Sequence, residues 1–201
     1  MFVLGRFLRN SRAIITYPYW SLFGRPAPDN HVFKRKRVRS IGAEFSCETF
    51  IETGAFYGQM INAVRKHFHK VLSIELFEPF FYLNQSAFSK CPNVHIYLGD
   101  SSARLHEMLN DARGRILFWL DGHYSGEGTA CGNQVSPILK ELDIIKKDSR
   151  HDHCILIDDA RLFSGEGGYP TLETTKAKLL EINPSFQISI DHDCIVALPV
   201  K

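Results

Sequence analysis

The chain has 201 residues (22.9 kDa), which is long enough for one sizeable hydrophobic core and too short for two ordinary domains. Its composition, 44% hydrophobic and 23% charged, excludes a disordered or fibrous protein. The net charge of +2 conceals an asymmetry, because residues 1–40 carry nine Lys or Arg and one acid (net +8), whereas the rest carries fifteen basic and twenty-one acidic residues (net −6). We therefore expect a basic, aromatic N-terminal arm over 1–40 and one folded domain over 41–201.

The five cysteines are odd in number and widely spaced, and no two of them form a CxxC pair. This pattern argues against a disulfide framework and against a zinc cluster, and it fits a reducing compartment. No apolar run approaches the roughly 18 residues that a membrane-spanning helix needs. The N-terminus also lacks the apolar core and cleavage site of a signal peptide. We expect a cytoplasmic protein without a transmembrane segment.

The arm mixes aromatic residues with arginines and then breaks at Gly24, Pro26 and Pro28. This pattern predicts an arm or short helix followed by a loop. The run KRKRVR (34–39) has the composition of a nuclear-localisation or nucleic-acid patch, but we favour a solvated helix face. The aromatic residues favour docking on the domain over contact with a membrane surface. We do not expect nucleic acid as a partner.

From residue 49, short β-rich apolar runs alternate with amphipathic segments of helical length, the pattern of βαβ units and a parallel sheet. Residues 186–190 and 194–198 flank Asp191-His192-Asp193, which predicts an antiparallel hairpin with a three-residue loop. The predicted fold is therefore α/β and Rossmann-like: a doubly wound, mostly parallel sheet with a C-terminal antiparallel hairpin. The other predicted strands are 49–52, 71–75, 94–98, 116–121 and 154–158, and the predicted helices are 60–68, 102–110, 135–147 and 172–181.

The first predicted strand ends in Glu52-Thr53-Gly54, and Ala55-Phe56-Tyr57-Gly58 follows. Open α/β sheets bind ligands beyond the carboxyl ends of their strands. Gly54 permits a tight turn and a close approach of backbone, and Gly58 lets the next helix begin flush against the sheet. These residues form a candidate nucleotide-binding turn.

Acids follow the next two predicted strands. Glu75 comes 21 residues after Gly54, close to the roughly 20-residue spacing at which nucleotide-binding folds place an acid on ribose hydroxyls. Asp100 and Ser101 follow the third strand. They suit a contact with an adenine edge and equally a cap on the next helix.

The segments at the predicted strand ends resemble, in this order, those of class I S-adenosylmethionine-dependent methyltransferases: ETGAFYG (52–58), SIEL (73–76), LGDSS (98–102), LDGHYSG (120–126) and LIDD (156–159). The resemblance covers about residues 47–199. It implies a seven-stranded sheet with an antiparallel last strand and S-adenosylmethionine as cofactor. It further implies the cofactor-binding residues: Glu52, Thr53, Gly54 and Gly58 around the methionine moiety, Glu75 on the ribose, Asp100 and Ser101 near adenine, and Asp121 on the cofactor side.

One departure concerns the glycine-rich turn, where the commoner family pattern has a third glycine and this chain has Ala55-Phe56-Tyr57. We expect this bulky turn to narrow the pocket. A nicotinamide dinucleotide would use the same acid after the second strand, but it needs GxGxxG to bring backbone against its pyrophosphate, and that motif is missing. The acidic strand ends suit the sulfonium cation of S-adenosylmethionine better than an anionic dinucleotide.

Methyl transfer requires alignment of the nucleophile with the methyl group and removal of its proton. Asp121 and His123 are the candidate catalytic residues, with His123 as a general base or a ligand. Asp121, Asp158 and Asp159 would repel one another unless a cation such as Mg²⁺ lay between them. These acids resemble the ligands of metal-dependent O-methyltransferases of catechols and macrolide sugars. The alternative is that Asp121 hydrogen-bonds the cofactor side and that Asp158-Asp159 cap the next element.

The sequence thus predicts an S-adenosylmethionine-dependent methyltransferase that acts on a hydroxyl of a small molecule or saccharide, with Mg²⁺ as a hypothesis and a homodimer as one assembly. The alternatives are a non-catalytic methyltransferase-like binding module and an NAD-linked Rossmann oxidoreductase. RNA methylation would rest on the basic arm alone.

Two further segments are singled out by composition. The glycine-rich segments 125–133 and 164–169 follow the fourth and fifth strands and predict substrate lids, although loops without a function would look the same. His151 and His153 form an HxH pair before the fifth strand. Because this is the wrong end of that strand for the site, we interpret both as surface residues rather than metal ligands.

Overall fold

The computed structural model describes residues 2–122 and 136–201. Its strands are β1 (Thr49–Thr53), β2 (Lys70–Glu75), β3 (Val94–Leu98), β4 (Ile116–Leu120), β5 (Cys154–Asp158), β6 (Gln187–Asp191) and β7 (Cys194–Leu198). Its helices are α1 (Phe2–Leu22), α2 (His31–Glu44), α3 (Gln59–Val64), α4 (Glu78–Ala87), α5 (Ser101–Asp111), α6 (Ile138–Lys146) and α7 (Leu172–Ile182), with a 3-10 helix at Ala160–Leu162.

The seven strands form one sheet in the order β3-β2-β1-β4-β5-β7-β6. Strands β1 to β5 pair in parallel, whereas β7 runs antiparallel to both β5 and β6. The strand order reverses between β1 and β4, which is where an open α/β sheet leaves a crevice for a ligand. The predicted fold class is therefore confirmed.

Alternate side chains of each central strand enter two hydrophobic cores, one on each face of the sheet. Ile51 and Phe118 pack on the face covered by α5, α6 and α7. Phe50 and Leu117 pack on the opposite face, which α2 and α3 cover. Because both faces are buried, the central strands are continuous apolar runs rather than alternating ones.

The strand boundaries agree with the sequence prediction to within one residue, and the helices differ more. Helix α4 was not predicted, and α3 ends at Val64 instead of continuing to Phe68. The hairpin loop has two residues rather than three, because Asp191 pairs directly with Cys194. Helix α1 is a 21-residue helix rather than a short one.

Helix α2 docks the basic run against the domain. It continues through residue 40, where the sequence suggested the end of the arm. Lys34, Arg37 and Val38 lie on its buried face. Arg37 lies 2.9 Å from Asp29 and 2.6 Å from Asp191, which begins the hairpin turn. The basic run on α2 therefore docks on the domain, and the prediction of a solvated helix face was wrong for Lys34 and Arg37.

Two further findings concern histidine and membranes. His153 is fully buried, and its Nδ1 accepts a hydrogen bond from the Ile116 N–H at 3.3 Å. The surface interpretation was therefore wrong for His153, whereas His151 is exposed. Across the described ranges, we find no helix with both the length and the apolar character needed to cross a membrane.

Candidate functional site

The turn after β1 and the end of β4 meet where the strand order reverses. Gly54 has φ +91°, and a Cβ on it would lie 2.7 Å from the carbonyl oxygen of Asp121. The Asp121 N–H donates to the Thr53 carbonyl at 3.1 Å. Gly58 has φ +67° and precedes the first residue of α3. The turn therefore requires glycine at Gly54, both for its backbone conformation and for the close approach of β4.

Glu75 ends β2 beside this turn, and its side chain is held by backbone. Its Oε2 accepts from the Phe56 N–H at 2.7 Å and its Oε1 from the Phe77 N–H at 2.9 Å. Burial raises the pKa of Glu75, although these hydrogen bonds to the charged form oppose the rise. The result is a buried carboxylate, oriented at both oxygens, at the edge of the crevice.

The bulky residues of the turn are packed between two helices. The rings of Phe56 and Tyr57 lie 4.7 Å and 4.8 Å from the ring of Phe80 on α4. The guanidinium of Arg9 on α1 lies 4.7 Å from the Phe56 ring. Asn84 on α4 donates to the Phe56 carbonyl at 2.7 Å. Helix α4, which the sequence did not predict, thus fixes the conformation of the candidate cofactor turn.

Glu52 lies one residue before Thr53 in β1 and is almost wholly buried. Ser73 of β2 donates to its Oε2 at 2.7 Å. Burial raises the pKa of Glu52 well above its usual range, against the Ser73 hydrogen bond, and the charges of Asp121 and Glu75 add to the rise. Glu52 is therefore suited to a neutral, hydrogen-bonding role beneath the turn.

Asp100 and Ser101 begin α5. Asp100 is the N-cap of this helix and accepts from the Ser102 N–H at 2.8 Å. Ser101 donates to Glu141 Oε1 at 2.5 Å. Glu141 belongs to α6 and is 1% exposed, so this acid reaches the site from beneath. The cap that the sequence suggested for Asp100 is confirmed, and a contact with adenine stays a prediction.

The three acids predicted as metal ligands converge. Asp121, Asp158 and Asp159 each have an oxygen within 4.8 Å of the others. We call them the acid cluster. Asp159 precedes the 3-10 helix but makes no side-chain cap bond. Convergence favours a shared role for the three carboxylates over capping by Asp158-Asp159.

A lysine from α2 enters the acid cluster. Lys34 Nζ forms a salt bridge and a hydrogen bond with Asp158 Oδ2 and lies 3.7 Å from Asp159 Oδ1. Burial alone would lower the pKa of Lys34, but the charges of the acid cluster raise it above its usual value. Burial and the charge of Asp121 raise the pKa of Asp158, while Lys34 opposes this. The pKa of Lys34 therefore rises through the neighbouring carboxylates, whereas the pKa of Asp158 rises mainly through burial.

The acid cluster has oxygen ligands of the kind that Mg²⁺ prefers. However, the Lys34 ammonium lies against Asp158, and Arg161 lies 2.8 Å from Asp159 and also pairs with Asp193. A divalent ion would have to displace these cations. The arrangement of side chains therefore does not fit a bound Mg²⁺.

A recess opens beside the acid cluster, between α6 and the segment after β5. In the part of the chain that the structure describes it is narrow, with a cavity volume of about 10 Å³, which is space for roughly one water molecule. Ile138, Phe163 and Tyr169 give it apolar walls, and Glu141 and Asp158 give it acidic ones. Such a lining suits a ring that carries hydroxyl groups. Tyr169 belongs to the glycine-rich segment 164–169, whose role as a lid stays a prediction.

His123 and the segment 125–133 lie outside the described residues, so the candidate general base and the first candidate lid stay predictions. Sequence reasoning missed Lys34, Arg161 and Glu141. A signal was present for Lys34, because Lys34, Val38 and Ile41 recur at helical spacing and share a face with apolar residues. Glu141 gave no such signal, since an acid in an amphipathic helix usually faces water.

Comparisons with known proteins address the fold of the chain as a whole. No family model and no curated protein sequence matches the chain. Among solved structures, an O-methyltransferase from Bacillus cereus in complex with SAH has a TM-score of 0.60 at 11% identity, over 94% of this chain and 90% of that one. TomG, an O-methyltransferase from Streptomyces achromogenes in complex with SAM, has a TM-score of 0.57 at 13% identity, over 96% and 90%. A putative caffeoyl-CoA O-methyltransferase from Staphylococcus aureus has a TM-score of 0.56 at 12% identity, over 94% and 92%. The chain therefore has the fold of the class I methyltransferases.

Proposed function

We propose that this chain, which has the fold of the class I methyltransferases, is an S-adenosylmethionine-dependent methyltransferase that acts on a hydroxyl group of a small molecule or saccharide. The observation that carries the proposal is Glu75, a buried carboxylate at the end of β2 that is oriented by the backbone N–H groups of Phe56 and Phe77, one on each oxygen. A carboxylate has about four acceptor sites, so Glu75 keeps capacity for a ribose hydroxyl beside these backbone contacts.

The remaining cofactor residues follow from their place at the crevice. Gly54 brings the turn against β4, where a methionine moiety would lie between Thr53 and Gly58. Asp100 and Ser101 begin α5 beyond β3, on the side proposed for adenine. Asp121 supplies negative charge near the proposed position of the sulfonium, which favours binding of a cation.

Methyl transfer mainly requires that the protein align the acceptor hydroxyl with the methyl group. The cofactor supplies an electrophilic methyl group. We place the acceptor ring at the mouth of the recess beside the acid cluster, where the apolar side chains Phe163 and Tyr169 lie next to the acids Glu141 and Asp158. We propose Asp121 or His123 as the group that takes the proton from the acceptor hydroxyl.

Two alternative functions can be distinguished from the proposed one. An NAD-linked oxidoreductase would need a glycine-rich approach to a pyrophosphate, but counted from Gly54 the chain has Phe56 and Gln59 where GxGxxG has its second and third glycines. A non-catalytic binding module would keep the fold and fail to bind any adenosyl nucleoside. We also propose a cytoplasmic location, from the odd and widely spaced cysteines, and a homodimer as one assembly.

The test is calorimetric titration of SAH and SAM into the wild-type protein, Glu75→Gln and the exposed control Glu173→Gln. Glu75→Gln weakens an acceptor of charged hydrogen bonds worth about 1.5–3 kcal/mol each, so the affinity falls at least about tenfold. Glu173→Gln leaves it unchanged.

The outcomes separate the rivals. Wild-type binding that Glu75→Gln weakens supports the cofactor pocket and justifies a screen of hydroxylated acceptors. Absence of binding to the wild type contradicts the methyltransferase proposal, and NADH binding by the same sample would favour the oxidoreductase. Equal binding by wild type and Glu75→Gln would remove the observation on which the proposal rests.

A further inference from the structure

We propose that Lys34 is the built-in cation of the acid cluster: its ammonium holds Asp158 and Asp159 together in place of a divalent metal ion and excludes such an ion from the site. The inference concerns the site of the proposed function and deepens it, because it makes methyl transfer by this chain metal-independent. Its test measures metal binding and does not depend on turnover.

The first support is the position of the Lys34 ammonium. It contacts Asp158 Oδ2 and lies 3.7 Å from Asp159 Oδ1, within a cluster whose three acids have oxygens no more than 4.8 Å apart. Lys34 is 6% exposed and Asp158 is 2% exposed. Because water reaches neither group well, each depends on the other for compensation of its charge.

The second support is spatial exclusion. A bound Mg²⁺ or Ca²⁺ lies about 2.0–2.6 Å from several carboxylate oxygens at once. In this cluster the Lys34 ammonium already lies between Asp158 Oδ2 and Asp159 Oδ1, on two of the three carboxylates that such an ion would have to bind. A divalent ion and an ammonium cannot share that space, since two cations in contact repel strongly at low dielectric constant. Arg161, 2.8 Å from Asp159, adds a second positive charge on the same side.

The third support is the rigidity of the helix that carries Lys34. Arg37, one turn further along α2, forms ion pairs with Asp29 and Asp191. Val38 is fully buried in the core beneath α2. Arg35 donates to Asn10 of α1 at 2.7 Å. Lys34 is therefore a positioning residue held on a packed helix, rather than a surface lysine whose ammonium moves freely.

The experiment measures Mn²⁺ binding by the full-length protein, using electron paramagnetic resonance of free Mn²⁺ and calorimetry. The variants are Lys34→Met, which removes the charge and keeps the length of the side chain, Asp158→Asn, and the double variant Lys34→Met/Asp158→Asn. Lys36→Met is the matched control, because Lys36 lies on the exposed side of the same helix. Lys34→Arg tests whether any fixed cation suffices.

We expect the wild type, Lys36→Met and Lys34→Arg to show no stoichiometric Mn²⁺ site. Lys34→Met gains a site with an affinity at least about tenfold higher than that of the wild type, since the cluster loses its competing charge. The double variant loses this site again, which assigns it to the acid cluster.

Stoichiometric Mn²⁺ binding by the wild type that Asp158→Asn abolishes would overturn the proposal, and this arm needs no Lys34 variant to fold. Failure of folded Lys34→Met to gain a site would also overturn it, because the lysine would then not be what excludes the metal. Circular dichroism checks the fold of each variant. SAH titration of the same samples tests the proposed function separately, so that its failure is distinguishable from failure of the Lys34 proposal.

Discussion

The substitution Gly54→Ala tests the close approach on which the crevice depends. Gly54 has φ +91°, and an added Cβ would lie 2.7 Å from the Asp121 carbonyl oxygen, well inside van der Waals contact. The positive φ costs an alanine about 1–2 kcal/mol. The contact is with backbone of β4, which cannot rotate away, and overpacking of this kind costs about 1–3 kcal/mol more. We expect a total loss of stability near 3 kcal/mol.

Gly24→Ala is the control, because Gly24 has φ +79° and a Cβ there would meet no atom within 4 Å. It carries the conformational cost without the clash, so urea denaturation followed by circular dichroism should show a loss of only about 1–2 kcal/mol. SAH calorimetry should show unchanged affinity for Gly24→Ala. Gly54→Ala should weaken SAH binding at least about tenfold, since the turn and the end of β4 move apart.

This reasoning would be refuted if Gly54→Ala and Gly24→Ala had equal effects on stability and on SAH affinity. If Gly54→Ala costs no more stability than Gly24→Ala and binds SAH as tightly as the wild type, then the approach of the β1 turn to Asp121 does not shape the pocket. A loss of stability without a loss of affinity would leave the turn as a structural element and move the cofactor elsewhere in the crevice.

Two further predictions concern buried charge. Arg37→Met leaves Asp29 buried without its ion-pair partner, so denaturation should show that the free energy of unfolding falls by about 3–5 kcal/mol. Lys36→Met is the control and should lower it by under about 1 kcal/mol. Similar losses for the two variants would contradict the role of Arg37 as a buried ion-pair partner. Burial lowers the pKa of His153 from 6.5 to about 4, so the unfolded chain takes up a proton at a higher pH than the native one. The contribution of His153 is complete above about pH 6.5 and is lost as the pH falls towards 4, by at most about 3 kcal/mol. His153→Gln should flatten stability against pH in that window, and an unchanged slope would assign it to other groups.

The sheet was predictable from the sequence because its central strands are buried on both faces. Burial on both sides produces short apolar runs with sharp polar ends, and those ends set the boundaries of β5 to the residue. Helix α4 escaped because its aromatic residues, such as Phe80, pack on the turn after β1 rather than forming a regular apolar stripe over the sheet.

Within the site, the sequence predicted the residues at the strand ends and missed the residues that reach the site from the neighbouring helices. Asp121 and Asp158 could be placed together because parallel strands β4 and β5 are neighbours whose carboxyl ends share an edge. Glu141 and Lys34 approach the same edge from α6 and α2, and their positions depend on how each helix rotates on the sheet. That rotation is set by tertiary packing and leaves only a weak trace in helical spacing.

The charge asymmetry could be read from the sequence, but the groups that the basic residues of the arm contact could not be predicted. For the net +8 arm beside the net −6 domain, the sequence favoured a solvated helix face over residues 34–39, because basic runs usually face solvent. In the structure, Lys34 and Arg37 of that run instead neutralise acids of the domain itself, at Asp158 and Asp191. The charges of the acid cluster and of the arm therefore depend on each other. Without Lys34 the carboxylates of the cluster would repel one another, and a bound metal ion could then compensate their negative charge.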